Sequence, residues 1–103
     1  MKEDYIKRNK NKIKWEWMSK RKILSENLMR EFKDYVNWHS ISIFQDLSED
    51  FIKEMKDYVD WRCICDYQFV SEDFIREMKD YVDWKSISHY QGLSEGFMRE
   101  FKS

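Results

Sequence analysis

Residues 50–68 read DFIKEMKDYVDWRCICDYQ, and residues 73–91 read DFIREMKDYVDWKSISHYQ. The two stretches start 23 residues apart, and the same period extends along the chain. Tryptophan marks the period most clearly, at Trp15, Trp38, Trp61 and Trp84. The chain therefore divides into units 1 to 4, at residues 1–23, 24–46, 47–69 and 70–92, and a half unit, 93–103. Units 3 and 4 are identical at 16 of 23 positions, which predicts a tandem repeat in one domain.

Each unit has the pattern of two short helices. In unit 3, an amphipathic stripe follows Ser48, whose hydroxyl is a good N-cap. Asp60 is the corresponding cap of a second helix. We therefore expect helix A at about 49–57 and helix B at about 61–67, with equivalents in the other units. The apolar positions that predict them are Phe51, Ile52, Met55 and Val59, then Trp61, Ile64 and Tyr67 or Gln68.

Helices this short are marginal in water and must pack on their neighbours. Stacked copies would bury their apolar faces in one continuous core, so the predicted fold is all-α, an α-solenoid of 23-residue helix–turn–helix repeats. The recurring tryptophans are expected to be largely buried in that core rather than to form an aromatic ladder for bases. The half unit should add one last helix, since it keeps the cap Ser94 and the apolar residues Phe97, Met98 and Phe101.

The pattern L-S-E-D-F-I-x-E-x-K-D-x-V-D-W-x-x-I-S-x-Y-Q resembles a short helical repeat found in proteins of giant DNA viruses. It is carried by residues 47–68 and 70–91, and in weaker form by 24–45, so the resemblance covers about two-thirds of the chain. Residues 1–23 keep only its skeleton. The resemblance implies a viral α-solenoid and assigns no catalytic residues.

No motif for catalysis is present, which predicts a protein that is not an enzyme and has no cofactor. Cys63 and Cys65 point to opposite sides of helix B and replace serines of units 2 and 4, so we interpret them as small filler residues. His39 and His89 lack the spacing of a zinc site, and no metal is expected. Many carboxylates have a local partner four residues on, in the pairs Glu26–Arg30, Glu49–Lys53, Glu72–Arg76 and Glu95–Arg99.

Positive charge is concentrated in unit 1. It has nine Lys and Arg against three Asp and Glu, a net charge of +6, whereas units 2 to 4 are each acidic. This polarity is consistent with a solubilising end unit, with self-association between the basic head and an acidic body, or with binding of nucleic acid or another anionic surface. The candidate polyanion-binding residues are Lys7, Arg8, Lys10, Lys12 and Lys14.

Helix A keeps its exposed residues nearly constant between units, whereas two columns of helix B vary. A repeat protein that binds partners often holds its frame constant while its binding face varies, although drift after a recent duplication would give the same pattern. The candidate partner-binding residues are Glu16, His39, Arg62 and Lys85 in one column and Lys20, Ile43, Asp66 and His89 in the other.

These patterns together favour a non-catalytic scaffold for protein–protein interaction. The alternative function is binding of nucleic acid or an anionic surface through unit 1. The sequence lacks both a signal peptide and an apolar run long enough to span a membrane, so we expect an intracellular protein, located in the host cytoplasm if it is viral.

Overall fold

The computed structural model describes residues 2–21, 24–90 and 93–100. These residues form nine α-helices and no strand. The helices are α1 Lys2–Arg8, α2 Trp15–Ser19, α3 Glu26–Glu31, α4 Trp38–Phe44, α5 Glu49–Glu54, α6 Trp61–Tyr67, α7 Glu72–Glu77, α8 Trp84–Tyr90 and α9 Glu95–Glu100.

Helices A and B alternate with the period of the sequence. Helix A of successive units starts at Glu26, Glu49, Glu72 and Glu95, and helix B starts at Trp38, Trp61 and Trp84. The predicted caps are also in place: the Ser48 hydroxyl accepts the Phe51 N–H, and the Asp60 carboxylate accepts the Cys63 N–H. The predictions of an all-helical chain and of a tandem helical repeat are confirmed.

The predicted length of helix A is wrong. In unit 3, α5 ends at Glu54 instead of near residue 57, whereas α6 matches the expected range. Met55 leaves the helical conformation, and its carbonyl accepts the N–H groups of both Tyr58 and Val59, at 2.9 and 3.0 Å. A tight turn thus replaces the last helical turn, and the apolar Val59 lies in the core just before α6 begins.

One hydrophobic core runs through all the units. Its residues recur in columns 23 apart, so each unit offers the same apolar side chains to its neighbours. Helix A contributes Leu28, Phe51, Phe74 and Phe97 in one column and Met29, Ile52 and Ile75 in the next, while helix B contributes Ile41, Ile64 and Ile87. The half unit belongs to this core through Phe97, whereas Met98, which was also predicted to pack, is 52% exposed and Phe101 lies outside the described residues.

The tryptophans are equivalent in register but less buried than predicted. Trp61 is half-buried, and Trp84 is 38% exposed. The Trp61 indole N–H donates to the Lys56 carbonyl at 2.9 Å, and the three tryptophans that recur with it, Trp15, Trp38 and Trp84, each donate to the carbonyl five residues before them in the same way. This bond holds the polar edge of the ring at the surface. The rest of the Trp61 ring packs against the next unit, with centroids 6.2 Å from Phe74 and 5.6 Å from Tyr81.

Polar contacts join each helix A to the next one. The sequence predicted a local partner for Arg30 at Glu26, but its guanidinium forms a bidentate pair with Glu54 of unit 3. Glu26 instead accepts the backbone N–H and the hydroxyl of Ser48. The predicted Glu49–Lys53 and Glu72–Arg76 pairs are replaced in the same way, by Lys53–Glu77, Arg76–Glu100, Glu49–Ser71 and Glu72–Ser94.

The last predicted pair does form, because no later helix A competes for it within the described residues. Arg99 Nη2 lies 2.5 Å from Glu95 Oε1. Within the described residues, the local spacing of charges therefore predicted one of the four pairs correctly, the one in α9.

Helix B has its own connection between units. Gln68 is buried, and its side-chain amide donates to the carbonyls of Ser42, at 3.0 Å, and Gln45, at 2.7 Å. The sequence left open whether Tyr67 or Gln68 continues the buried stripe of helix B. Gln68 is the buried residue, whereas Tyr67 is 61% exposed. The resulting array measures 51 × 19 × 19 Å. Among the described helices, none has the length and apolar character that a bilayer crossing demands.

Candidate binding face

Successive B helices pack side by side, α2 on α4, α4 on α6 and α6 on α8. This row presents the residues that the sequence singled out as variable. All of them are exposed except Ile43 and Asp66, which are partly exposed. We call this surface the helix B face, formed by Glu16, Lys20, His39, Ile43, Arg62, Asp66, Lys85 and His89.

An open polar groove of about 300 Å³ lies on this face between α6 and α8. It brings together four of the predicted residues, Arg62, Asp66, Lys85 and His89. The other four predicted residues lie outside it. Asp83 and Ser86 also line the groove and were not predicted. The repeat could have predicted both residues. Asp83 caps α8 and Ser86 lies in its first turn, and α8 is the helix B that packs beside α6, which carries Arg62.

Asp66 is poorly satisfied within this groove. One of its oxygens, Oδ1, is buried and has no hydrogen-bond donor among the described residues. The other, Oδ2, lies 4.0 Å from Arg62 Nε. A buried acceptor without a donor costs free energy. A small rotation of the Asp66 carboxylate would expose this oxygen to the groove, where an N–H group of a bound molecule would satisfy it.

The equivalent position between α4 and α6 holds different chemistry. There His39 Nδ1 lies 2.9 Å from Asp60 Oδ2 and 3.5 Å from Cys63 Sγ. His39 was predicted as an exposed face residue, and its side chain is indeed 65% exposed. The sequence did not predict its two neighbours, because they are 21 and 24 residues away and belong to the next unit.

This arrangement does not resemble a catalytic Cys–His–Asp triad. Both the carboxylate and the thiol meet the same imidazole nitrogen, whereas a general base needs one nitrogen for each. Burial, followed by the charge of Asp60, raises the pKa of the Cys63 thiol to about 11. The thiol therefore stays protonated near neutral pH and is not an activated nucleophile. Hydrogen bonding from His39 lowers the pKa of the Asp60 carboxyl, which keeps that group ionised.

Cys65 has a different environment from Cys63. It is 1% exposed and its sulfur accepts the Asp83 N–H at 3.4 Å, where Ser42 accepts the Asp60 N–H one unit earlier. Burial raises the pKa of the Cys65 thiol to about 11. The interpretation of Cys65 as a small residue filling the core is therefore supported.

The predicted polyanion-binding residues of unit 1 divide into two groups. Lys7 lies 3.6 Å from Glu31, and the Lys10 ammonium lies 6.0 Å from the centre of the Tyr35 ring, so both contact unit 2. Arg8, Lys12 and Lys14 are exposed. Lys12 and Lys14 also line an open groove of about 420 Å³ with the aromatic rings of Tyr5 and Trp17. This groove combines cations with aromatic side chains.

Comparison of the chain with models of known protein families, with characterised proteins and with solved structures finds no match.

Proposed function

We propose that the protein is a non-catalytic α-solenoid that binds another protein through the helix B face. The observation that carries the proposal is a division of roles between the two helices of each unit. The polar residues of helix A are occupied in bonds to the next unit, such as Arg30 to Glu54. A substitution there would weaken the array, which explains why they hardly vary.

The helix B face has more freedom to vary. Glu16, Arg62 and Lys85 are exposed, and none of them carries one of the repeated bonds that join consecutive units. Arg62 and Lys85 lie at a groove that also holds the Asp66 oxygen for which the described part of the chain supplies no donor. Cations, carboxylates and a histidine in one groove suit a polypeptide with both donors and acceptors better than an apolar ligand.

The extended form of the array supports the same proposal. Its long axis of 51 Å offers a row of helices along which an extended polypeptide segment would lie. Helical solenoids use such surfaces to bind proteins. We further propose that the protein is viral, because the repeat pattern resembles short repeats found in proteins of giant DNA viruses.

Selection from a random peptide display library against the immobilised chain tests this function. We expect enriched peptides that bind the Arg62→Ala/Lys85→Ala variant about tenfold more weakly than the parent, the effect of losing a well-placed interface residue. The matched control is Lys56→Ala/Lys79→Ala, which removes two cations that lie outside both the face and helix A, and it should bind as the parent does. Failure to enrich any peptide, or equal binding by the face variant, would contradict the proposal.

A second function is favoured by the groove of unit 1. Its lysines and aromatic rings are the combination that single-stranded nucleic acids bind, through phosphate contacts and base stacking. The acidic units 2 to 4 would repel phosphate, so any binding should depend on unit 1 and weaken as salt rises.

Titration of labelled single- and double-stranded nucleic acid at low and physiological salt tests this second function. We expect weak binding at low salt that a variant with Gln at Lys7, Arg8, Lys10, Lys12 and Lys14 loses. Absence of binding by the parent at low salt eliminates the second function. Binding that survives all five changes would show that the contact surface lies outside this group of residues.

A further inference from the structure

We infer that His39, Asp60 and Cys63 form a binding site for a divalent transition metal, with Zn²⁺ the ion that fits best. Each residue offers one ligand atom, and the three atoms lie within 4.8 Å of one another. The site joins two units, since His39 belongs to α4, Asp60 is the N-cap of α6 and Cys63 lies in the first turn of α6. It lies beyond the proposed protein-binding function and does not depend on it.

The two separations that involve His39 Nδ1 are close to those of tetrahedral coordination. Zinc binds nitrogen at ~2.0–2.1 Å and sulfur at ~2.3 Å, so these two ligands are separated by ~3.5 Å at the tetrahedral angle. His39 Nδ1 and Cys63 Sγ are 3.5 Å apart. The nitrogen-to-oxygen separation at the same angle is ~3.3 Å, so Asp60 Oδ2, at 2.9 Å from the imidazole, needs to move by only a few tenths of an ångström.

The surrounding structure holds these ligands in place without using the atoms that face the ion. Asp60 Oδ1 accepts the Cys63 N–H at 3.2 Å, which leaves Oδ2 directed at His39. The Asp60 N–H donates to Ser42 Oγ of the preceding unit at 3.0 Å. Such outer contacts orient metal ligands and raise affinity.

The ligand types select zinc over harder ions. Thiolate and imidazole are preferred by Zn²⁺ and other transition metals, whereas Mg²⁺ and Ca²⁺ prefer oxygen ligands. The exposed His39 ring gives the ion access from solvent. On binding, the Cys63 S–H bond breaks, the sulfur electron pair forms the bond to zinc and the proton passes to water. The His39 Nδ1–H bond also breaks, so that its electron pair binds zinc, and the neutral imidazole takes up a proton from water at Nε2 in exchange. Three protein ligands leave a fourth position for water or for a donor from another molecule.

The other junctions show that the ligand set is particular to units 2 and 3. At the corresponding positions, the junction between units 3 and 4 has Arg62, Asp83 and Ser86, and the junction between units 1 and 2 has Glu16, Asn37 and Ser40. Neither triplet combines a thiol with an imidazole. Within the described residues, the grouping at His39 is the one that can hold a metal.

Titration of the full chain with Co²⁺ under reducing conditions tests the site, because cobalt reports its ligands by absorption. We expect one equivalent to bind, with the intense visible bands of tetrahedral cobalt and a near-ultraviolet band from thiolate, both abolished by added Zn²⁺. Cys63→Ser and His39→Arg should each weaken binding by at least about 100-fold, more than the loss of an outer contact. Both changes install the residue of a neighbouring unit, so circular dichroism should show unchanged folding.

Cys65→Ser is the matched control and should leave the cobalt spectrum and the affinity as they are. The inference is overturned if the parent gives no tetrahedral cobalt spectrum, or if Cys63→Ser leaves the thiolate band intact. Equal loss of the band in the Cys65→Ser variant would likewise overturn it, since Cys65 would then be a ligand.

Discussion

Replacing Phe74 with alanine is expected to lower the free energy of unfolding by about 3–5 kcal/mol, the range for emptying a buried aromatic site. The Phe74 side chain is 1% exposed and lies between two units. Its ring centre is 6.2 Å from that of Trp61 and 5.8 Å from the Lys53 ammonium, both of unit 3. The substitution therefore removes packing within unit 4 and the contact that joins unit 4 to unit 3.

Chemical denaturation followed by circular dichroism measures this effect. Phe69→Ala is the control, because Phe69 is 96% exposed and its loss should change stability by less than about 0.5 kcal/mol. Stability in a repeat array is close to a sum of unit and interface terms, so the Phe74 variant should also unfold less cooperatively. A variant that is as stable as the Phe69 control would show that the core between units is not formed as described.

Replacing Gln68 with methionine is expected to cost about 3 kcal/mol although the side-chain volume hardly changes. The amide of Gln68 donates to two carbonyls and its oxygen lies 3.3 Å from the Leu47 N–H. Methionine would leave these backbone groups without their partner, and an unsatisfied buried polar group costs about 1–3 kcal/mol.

The control for Gln68 is its exposed neighbour Tyr67. Tyr67→Met removes a large side chain from the surface and should change the free energy of unfolding by less than about 0.5 kcal/mol. Should Gln68→Met prove as stable as Tyr67→Met, the hydrogen bonds of Gln68 between units would have no role in holding the B helices together.

The features that the sequence predicted well are those that a single unit determines. Ser48 and Asp60 cap helices through contacts to residues three positions on, and the apolar stripe of each helix is visible within one unit. The 23-residue period then extends each local prediction to the whole chain. The error in the length of helix A is also local, because the pattern gave no sign of the tight turn at Met55.

The features that the sequence missed depend on how one unit is placed on the next. Arg30 has an acidic residue four positions before it and another 24 positions after it, and only the packing of helices decides that Glu54 is its partner. His39 and Cys63 are separated by the same 24 residues. His39 lies close to Cys63 for the same reason that Arg30 lies close to Glu54: stacking of consecutive units brings residues 24 apart together. The spacing of residues within one unit does not reveal this contact.

The half-burial of the tryptophans has a similar origin. Recurrence at one position predicted a shared environment, and the four indole N–H groups do share one type of partner. Recurrence did not predict the depth of burial, because the partner carbonyl, such as that of Lys56, lies near the surface and holds the edge of the ring there.

Small-angle X-ray scattering from a dilution series of the monomer tests the central claim, that the chain is an elongated array of stacked units. The structure has a radius of gyration of 15.4 Å and a long axis of 51 Å, so we expect a radius near 15 Å and a distance distribution with an extended tail. A compact globule of this length has a radius of roughly 13 Å, and an unfolded chain one of roughly 32 Å. A radius near either of these values would contradict the array.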